Sequence, residues 1–355
     1  MSNRPVRLTV RTCIVAAVAV TLLLTPTAYA SRRLDADRLP VPAAPLAAPV
    51  LDASTVVADT VAEHRAILAY WTPGRMRTAV PAMPSVRRPR TGGVPGLAGL
   101  VPSIRDVGPP RPAPVAKPEP RARQALPRAE GGGYAWPGGG AVARTTGRVF
   151  FTLQGTDYVC SGSAVRSLNR DTVATAGHCV NAGPGEYATA WMFVPGYRDG
   201  SSPYGRWTAR RLFAPTSWTR DGVIDSDVGF AVVNTRDGRH LTDVVGAQAI
   251  GFNAGRGRYA RLFGYPATGG YDGARMYYCQ GTPRQDRYGT RNQGVRCDMT
   301  EGASGGPWLT GFDPDTGTGT VTSVSSFGYS DDPNVMWGPY FGDTARAVFR
   351  RAQAA

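Results

Sequence analysis

From Tyr134 onward the sequence is a series of short runs of β-forming residues separated by turn residues, and this pattern restricts the chain to an all-β architecture. The clearest runs are at 149–153, 172–175, 228–233, 259–263 and 321–324. Runs this short, bounded by Gly, Asp, Asn and Pro, are typical of a β-sandwich or β-barrel. The chain changes character at 343–353, where alanine and valine at helical spacing predict a short closing helix. Residues 134–355 therefore suit two small β-barrels followed by a helix.

The first 30 residues have the organisation of a secretory signal peptide. Arg4, Arg7 and Arg11 form a basic start, residues 13–24 are apolar, and small residues precede a cleavage point after Ala30. The apolar run is shorter than the ~20 residues that a membrane-spanning helix needs. We therefore expect a secreted, extracellular protein that is free of the membrane once the signal is removed. A retained N-terminal anchor is the alternative.

Residues 31–130 differ from the rest of the chain in composition, since they hold 17 of its 30 prolines. Such a segment favours extended chain and cannot build a packed core, so we expect it to be largely disordered. One amphipathic helix is predicted at about 53–70, where Thr72, Pro73 and Gly74 follow as a stop signal. The segment is interpreted either as a propeptide that assists folding or masks a site, or as a plain spacer. A glycine-rich joint at 131–140 separates it from a domain at 134–355.

The strongly basic balance is a weak clue to function. The formal net charge is +14, but residues 31–130 carry 15 basic against 8 acidic side chains and the signal peptide adds three arginines. Nucleic-acid binding needs a clustered basic face with aromatic platforms, and the domain at 134–355 shows neither in its sequence. We therefore expect no nucleic-acid partner.

The cysteine count points to disulfide bonds. Of five cysteines, Cys13 leaves with the signal peptide, and Cys160, Cys179, Cys279 and Cys297 remain. An even set in an exported chain is typical of two disulfides, although four cysteines allow three pairings. We favour Cys160–Cys179 and Cys279–Cys297, because each closes a local loop. Zinc binding is the competing interpretation, but no CxxC pair is present, and we expect neither a metal nor another cofactor.

The motif EGASGGP at 301–307 places Ser304 within a cluster of glycines. A serine hydroxyl becomes a nucleophile only when a base takes its proton. Gly302 permits a tight turn there, and the backbone N–H groups of Gly302 and Ser304 can together bind an oxyanion. Taken alone, the motif is also compatible with a glycine-rich β-turn that contains an incidental serine.

The sequences TAGHC at 175–179 and SDVGF at 226–230 supply the remaining parts of an acyl-transfer site. His178 ends an apolar strand and is interpreted as the base that activates the serine. Asp227 opens the next apolar run and is interpreted as the buried carboxylate that orients the histidine. Asp225 is the rival for this role, while His240 is expected in a solvated loop.

Residues in these contexts and in the order His, Asp, Ser resemble the chymotrypsin/trypsin-like serine protease family. The sequences GYP at 264–266 and CDMT at 297–300 are similar to its bacterial, glutamyl-endopeptidase-like branch. The resemblance covers roughly residues 140–352. It implies two six-stranded antiparallel β-barrels and a monomeric endopeptidase that cleaves polypeptides through an acyl-enzyme intermediate, with His178, Asp227 and Ser304 as the triad.

The same resemblance implies where a substrate is bound. Ser326, Phe327 and Gly328 correspond to the strand that pairs with substrate backbone in this family. Asp298 lies six residues before Ser304, where trypsin-like members place the pocket carboxylate that selects basic residues, but a structural hydrogen-bond acceptor is the alternative. Ala303 stands where trypsin has an aspartate that pairs with the new N-terminal amine, so we predict that no such amine inserts beside Ser304.

A different class of function is also compatible with the pattern. Protease-like proteins that only bind or adhere at the cell surface usually lack a member of the triad. This chain keeps all three candidate residues, so we favour the enzyme.

Overall fold

The computed structural model describes residues 53–86 and 131–355, and their architecture is mostly β. The predicted signal peptide and the remainder of the proline-rich segment lie outside the described residues. The N-terminal described segment contains short elements: β1 Ala53–Val56, α1 Val61–Tyr70, α2 Pro73–Thr78, β2 Val80–Pro81 and β3 Ser85–Val86.

The region that follows begins with a short strand and a one-turn helix and then builds a barrel. Its elements are β4 Tyr134–Ala135, α3 Gly140–Thr145, β5 Thr146–Leu153, β6 Thr156–Ala164, β7 Thr172–Thr175, β8 Thr189–Pro195, β9 Trp207–Ala214, α4 Thr216–Thr219 and β10 Gly229–Val233. The antiparallel order β9-β10-β7-β6-β5-β8 closes on itself because β8 also pairs with β9. This closed six-stranded barrel confirms the all-β prediction for the first half of the domain.

The C-terminal half forms two further sheets and a helix. Its elements are α5 Leu241–Val245, β11 Ala249–Ile250, β12 Ala260–Gly264, β13 Tyr277–Gly281, β14 Arg284–Gln285, β15 Gln293–Arg296, β16 Pro307–Asp313, β17 Thr318–Val324, β18 Phe327–Tyr329, β19 Asp332–Gly338 and α6 Asp343–Ala352. One sheet has the order β11-β17-β16-β12-β13-β4 and the other β14-β15-β19-β18-β3. These pairings do not close into a ring among the described strands, so the second six-stranded barrel stays a prediction.

The core explains why these short strands are stable. Consecutive side chains of β5, β8 and β10 are buried on both faces of the strands, among them Phe150, Phe193 and Phe230. Each buried aromatic side chain contributes about 1.5–3 kcal/mol relative to an exposed one. The closing helix α6 adds Phe349, whose ring lies 5.5 Å from that of Phe230. The predicted C-terminal helix is therefore present, and it covers one side of the first barrel.

The helix of the N-terminal segment is shorter than its prediction at 53–70. The helix begins only at Val61, because Thr60 and Glu63 form a capping box that fixes its first turn. Residues Ala53–Val56 instead form an edge strand antiparallel to β9, with Ala53 opposite Ala214. The β-branched residues that suggested a longer helix are used for sheet pairing.

Within the two described stretches, no helix has the length and apolar character needed to cross a membrane.

Candidate active site

His178 and Asp227 form a buried pair at one end of the first barrel. β7 ends at Thr175, and a 3-10 turn at Gly177–Cys179 then presents the histidine. Asp227 follows a second 3-10 turn, just before β10, which is hydrogen-bonded to β7. The adjacent strands therefore bring both turns to the same end of the barrel.

The carboxylate of Asp227 holds His178 at two points, one on its backbone and one on its ring. Its Oδ1 accepts a hydrogen bond from the His178 backbone N–H at 2.7 Å, and its Oδ2 lies 2.8 Å from His178 Nδ1. The Ser326 hydroxyl donates a short hydrogen bond to the same Oδ2. Asp227 has no solvent exposure. A fully buried carboxylate with three donors is fixed in position and favours a proton on His178 Nδ1.

Space around this pair explains a glycine in the TAGHC sequence. A Cβ at Gly177 would lie 2.9 Å from Asp227 Oδ1 and 3.0 Å from the ring of Trp218. The residue before the histidine must therefore be small. The disulfide between Cys160 and Cys179 also fixes the residue that follows the histidine.

Ser304 lies in a tight turn whose backbone is held by the first barrel. Gly302 has φ +94°, and its carbonyl accepts a hydrogen bond from the Ser161 hydroxyl at 2.8 Å. The Ser304 carbonyl accepts from the Ser161 N–H at 2.7 Å. A Cβ at Gly305 would lie 2.1 Å from Thr175 Oγ1. The serine turn is thus pressed against the end of β7, directly before the segment that carries His178.

Ser161 contacts the serine turn and was not assigned from the sequence. Besides its two contacts with the serine turn, its Oγ accepts a hydrogen bond from the Tyr265 N–H at 2.9 Å. One side chain therefore links both halves of the domain beneath Ser304. The only sequence feature that could have indicated Ser161 is its place next to Cys160, because a lone serine on a strand has no distinguishing pattern.

The side chains of the predicted nucleophile and base are buried. Ser304 is fully buried, and His178 is 8% exposed. Neither Ser304 Oγ nor His178 Nε2 has a hydrogen-bond partner among the residues that the structure describes. Hydrogen bonds between catalytic groups are often long or misaligned before a substrate binds. These are the two atoms between which an acyl-transfer enzyme moves a proton.

The rival carboxylate Asp225 makes different contacts. Its Oδ1 accepts from the Arg291 N–H at 2.8 Å and from Asn292 Nδ2 at 2.9 Å. Burial raises the pKa of Asp225 above its usual range. His240, the other histidine of the domain, lies 2.8 Å from Asp171 Oδ2 instead.

The residues predicted to bind substrate are partly occupied by internal contacts. Ser326 contacts Asp227, and Phe327 is buried in an aromatic cluster, with its ring 5.3 Å from that of Tyr329. Asp298 Oδ1 accepts from the Gly133 N–H at 2.6 Å and from the hydroxyl of Tyr271 at 2.9 Å.

Burial, and then the hydrogen bond to Asp298, raises the pKa of the Tyr271 hydroxyl. Both contacts of Asp298 favour the interpretation of this residue as a structural acceptor.

The cysteines are paired as Cys160–Cys179 and Cys279–Cys297. Cys160, His178 and Cys179 lie close enough together to be considered as metal ligands. Both sulfur atoms belong to one disulfide, however, and zinc binds thiolates. The residues present at this point do not fit a zinc site.

Solved structures with a similar fold are proteases. Over 60% of this chain and 96% of its own length, protease Anisep from Arthrobacter nicotinovorans is 45% identical, with a TM-score of 0.58. The thermostable serine protease AL20 from an extremophilic microorganism is 40% identical over 61% of this chain and 99% of its own, also at 0.58. A Glu endopeptidase, 18% identical with a TM-score of 0.51, covers 65% of this chain and all of its own and shows the fold alone.

Sequence comparison adds less. An extracellular metalloprotease of Bacillus subtilis (strain 168) is 32% identical over 81 residues, which are 23% of this chain. The chain spans about a quarter of the length of that curated relative. No protein-family model matches the chain.

Proposed function

Because the chain belongs to the serine protease family that includes Anisep and AL20, we propose that it hydrolyses peptide bonds through an acyl-enzyme formed on Ser304. The observation that carries the proposal is the buried contact between His178 Nδ1 and Asp227 Oδ2 at 2.8 Å, next to the turn that holds Ser304. This contact leaves Nε2 as the free base of the histidine.

The proposed reaction has two halves. Ser304 Oγ attacks the substrate carbonyl carbon, and His178 Nε2 accepts the hydroxyl proton. The same proton passes to the leaving amine as the C–N bond breaks, which leaves an ester on Ser304. Water then attacks this ester with His178 again as base, and release of the acid restores the hydroxyl. Asp227 stabilises the imidazolium in both halves without itself taking the proton.

The backbone N–H groups of Gly302 and Ser304 are proposed as the oxyanion hole. The positive φ of Gly302 turns its peptide away from the path of an ordinary strand. A Cβ at this position would also lie 2.7 Å from the Tyr265 carbonyl oxygen. Removal of one such donor typically lowers kcat by about 10²–10³.

We propose Ser326, Phe327 and Gly328 as the strand beside the bound peptide. Asp298 is proposed to support the pocket wall, since Gly133 and Tyr271 already occupy its Oδ1. We therefore expect the pocket for the residue before the scissile bond to be apolar or neutral and polar, and not to select Arg or Lys. Cleavage of a peptide library tests this, because a strong preference for Arg or Lys would instead assign Asp298 to the pocket base.

The remaining proposals concern the form in which the enzyme works. We propose a secreted, monomeric enzyme that acts on polypeptides after removal of residues 1–30 and of the proline-rich segment. The second half of the domain is proposed to be the family's second barrel. Two disulfides are compatible with an oxidising compartment.

The enzyme and the silent binding protein differ in one measurable property. A serine-directed fluorophosphonate forms a covalent bond only with an activated serine. We expect labelling of the processed protein and none in the Ser304→Ala variant. Labelling that is absent from correctly folded, processed wild type, or that persists in the variant, contradicts the proposal.

A further inference from the structure

The N-terminal segment packs against the first barrel through a buried tryptophan. Trp71 has no solvent exposure, and its ring lies 5.5 Å from that of Phe150. Its indole N–H donates to the carbonyl of Ala190, and its own carbonyl accepts from Arg206 Nη1 at 3.1 Å. Asp157 adds an ion pair with Arg75 at 2.9 Å. The segment is thus anchored on the first barrel, by residues outside the serine turn.

From this anchor the segment runs toward the serine turn. β2 pairs in parallel with β6, and the Ala82 N–H donates to the Val159 carbonyl at 3.0 Å. The Ala82 carbonyl then accepts a hydrogen bond from the Gly302 N–H at 3.4 Å. Gly302 supplies one of the two donors of the proposed oxyanion hole, so the segment places a peptide carbonyl at the point where a substrate carbonyl must bind.

Beyond Ala82 the segment continues along the proposed substrate strand. Met83 packs against the buried cluster that contains Met299, Ala303 and Trp308. β3 then pairs in parallel with β18, with Ser85 opposite Gly328. The segment therefore contacts the oxyanion donor, the residues that flank the serine turn and the substrate strand in one continuous path.

The geometry differs from that of a peptide about to be cleaved. The Gly302 N–H lies 3.4 Å from the Ala82 carbonyl oxygen, whereas donors that stabilise an oxyanion lie about 2.7–3.1 Å away. The Ser304 hydroxyl, next to this carbonyl's donor, is buried and makes no hydrogen bond within the described part of the chain. The segment thus excludes other peptides without being well positioned for attack.

We infer that residues 79–86 are a built-in occupant of the substrate cleft, held there by the Trp71 anchor, and that this segment inhibits the protease in the unprocessed chain. The inference rests on the proposed function, since it concerns the same serine. The occupant that fits this cleft is therefore an extended peptide with a medium-sized apolar side chain at the position of Met83. If the chain is cleaved after residue 86, residues 79–86 stay in the cleft until they dissociate or are degraded.

The test measures the labelling rate of Ser304 in the full chain. A fluorophosphonate is added to the secreted protein, and the long, unprocessed band and the short, processed band are resolved on a gel. We expect the long band of the wild type to label at least about tenfold more slowly than the short band. In Met83→Asp, which puts a charge against an apolar cluster, the long band should label nearly as fast as the short one. Arg77→Glu, an exposed change in the same segment, is the matched control and should behave as wild type.

Each outcome decides between the hypotheses. Equal labelling of the two wild-type bands overturns the inference, and this comparison needs no variant to fold. The inference is also overturned if the long band labels slowly in the wild type and equally slowly in folded Met83→Asp. If neither band is labelled in any sample, the proposed function fails instead, so the two failures are distinguishable.

Discussion

Replacement of Asp227 by asparagine tests which carboxylate orients the histidine. The introduced side-chain amide can keep its oxygen toward the His178 N–H, but it then presents an NH₂ group to His178 Nδ1. Nδ1 becomes the acceptor, the ring proton moves to Nε2, and Nε2 can no longer take the proton of Ser304. The variant also removes the negative charge that stabilises the imidazolium.

The size of the effect follows from the contacts. A hydrogen bond to a charged group contributes about 1.5–3 kcal/mol. Opposite unit charges about 4 Å apart attract by about 4 kcal/mol at an effective dielectric constant of ~20. Together, these two losses are about 5.5–7 kcal/mol, and each 1.36 kcal/mol is tenfold in rate. We therefore expect kcat to fall by about 10⁴–10⁵ in Asp227→Asn, with the fold intact.

The matched control is Asp225→Asn, two residues earlier. Because Asp225 accepts hydrogen bonds from Arg291 and Asn292, an asparagine oxygen can replace its acceptor, and kcat should change little. Both variants are assayed as processed enzyme for kcat and KM on a peptide substrate, with circular dichroism to establish folding. A loss in Asp225→Asn that equals or exceeds that in Asp227→Asn refutes the assignment.

Three further predictions concern the oxyanion hole, the pocket and the N-terminal segment. In Gly302→Ala, the clash with the Tyr265 carbonyl and the positive φ displace the amide, so kcat should fall by about 10²–10³ with a smaller change in KM; an unchanged kcat contradicts the assignment. Asp298→Ala should lower the melting temperature without altering the preferred residue before the scissile bond, and a change of preference in a cleavage assay would return Asp298 to the pocket. Burial, with Arg65 nearby, lowers the pKa of His64 below its ordinary value in the docked segment, so docking favours the neutral ring. Docking is therefore strongest above the ordinary histidine pKa and weakens as the pH falls through and below it. The ratio of long-band labelling in wild type to that in His64→Gln should rise on acidification, and a constant ratio contradicts this.

Local sequence patterns were sufficient to predict much of the fold. Short β-branched and aromatic runs bounded by turn residues coincide with β5, β7, β10, β12 and β17, because such side chains pack well on a pleated surface. The C-terminal helix was predictable from its 3.6-residue spacing. Its position on the first barrel was not, because packing between distant segments leaves no local pattern.

The N-terminal segment was the larger omission. The proline content predicts a chain that cannot build its own core, and residues 53–86 pack on the core of the barrel, with Trp71 as their anchor. Composition reports only what a segment can bury by itself. The strand at Ala53–Val56 is stable because β9 offers an edge, which the segment's own sequence does not reveal.

The candidate site was predictable where small residues and polar side chains occur together. The glycines around Ser304 are needed because a Cβ at Gly305 would meet the first barrel, and one at Gly302 or Gly306 would meet backbone of the C-terminal half. Such glycine clusters are visible in a sequence. Ser161, which is hydrogen-bonded to both halves of the domain next to Ser304, was not assigned, since one hydroxyl on a strand resembles many others. Long-range hydrogen bonds of this kind are found only in the folded chain.

The proposed function requires Ser304 to be an activated nucleophile. The most direct measurement is fluorophosphonate labelling of the processed protein, with the modified residue identified by mass spectrometry of its peptides. We expect a single adduct on Ser304, formed more slowly by several orders of magnitude in Asp227→Asn and absent in Ser304→Ala. An adduct on another residue, or none on folded and processed protein, would contradict it.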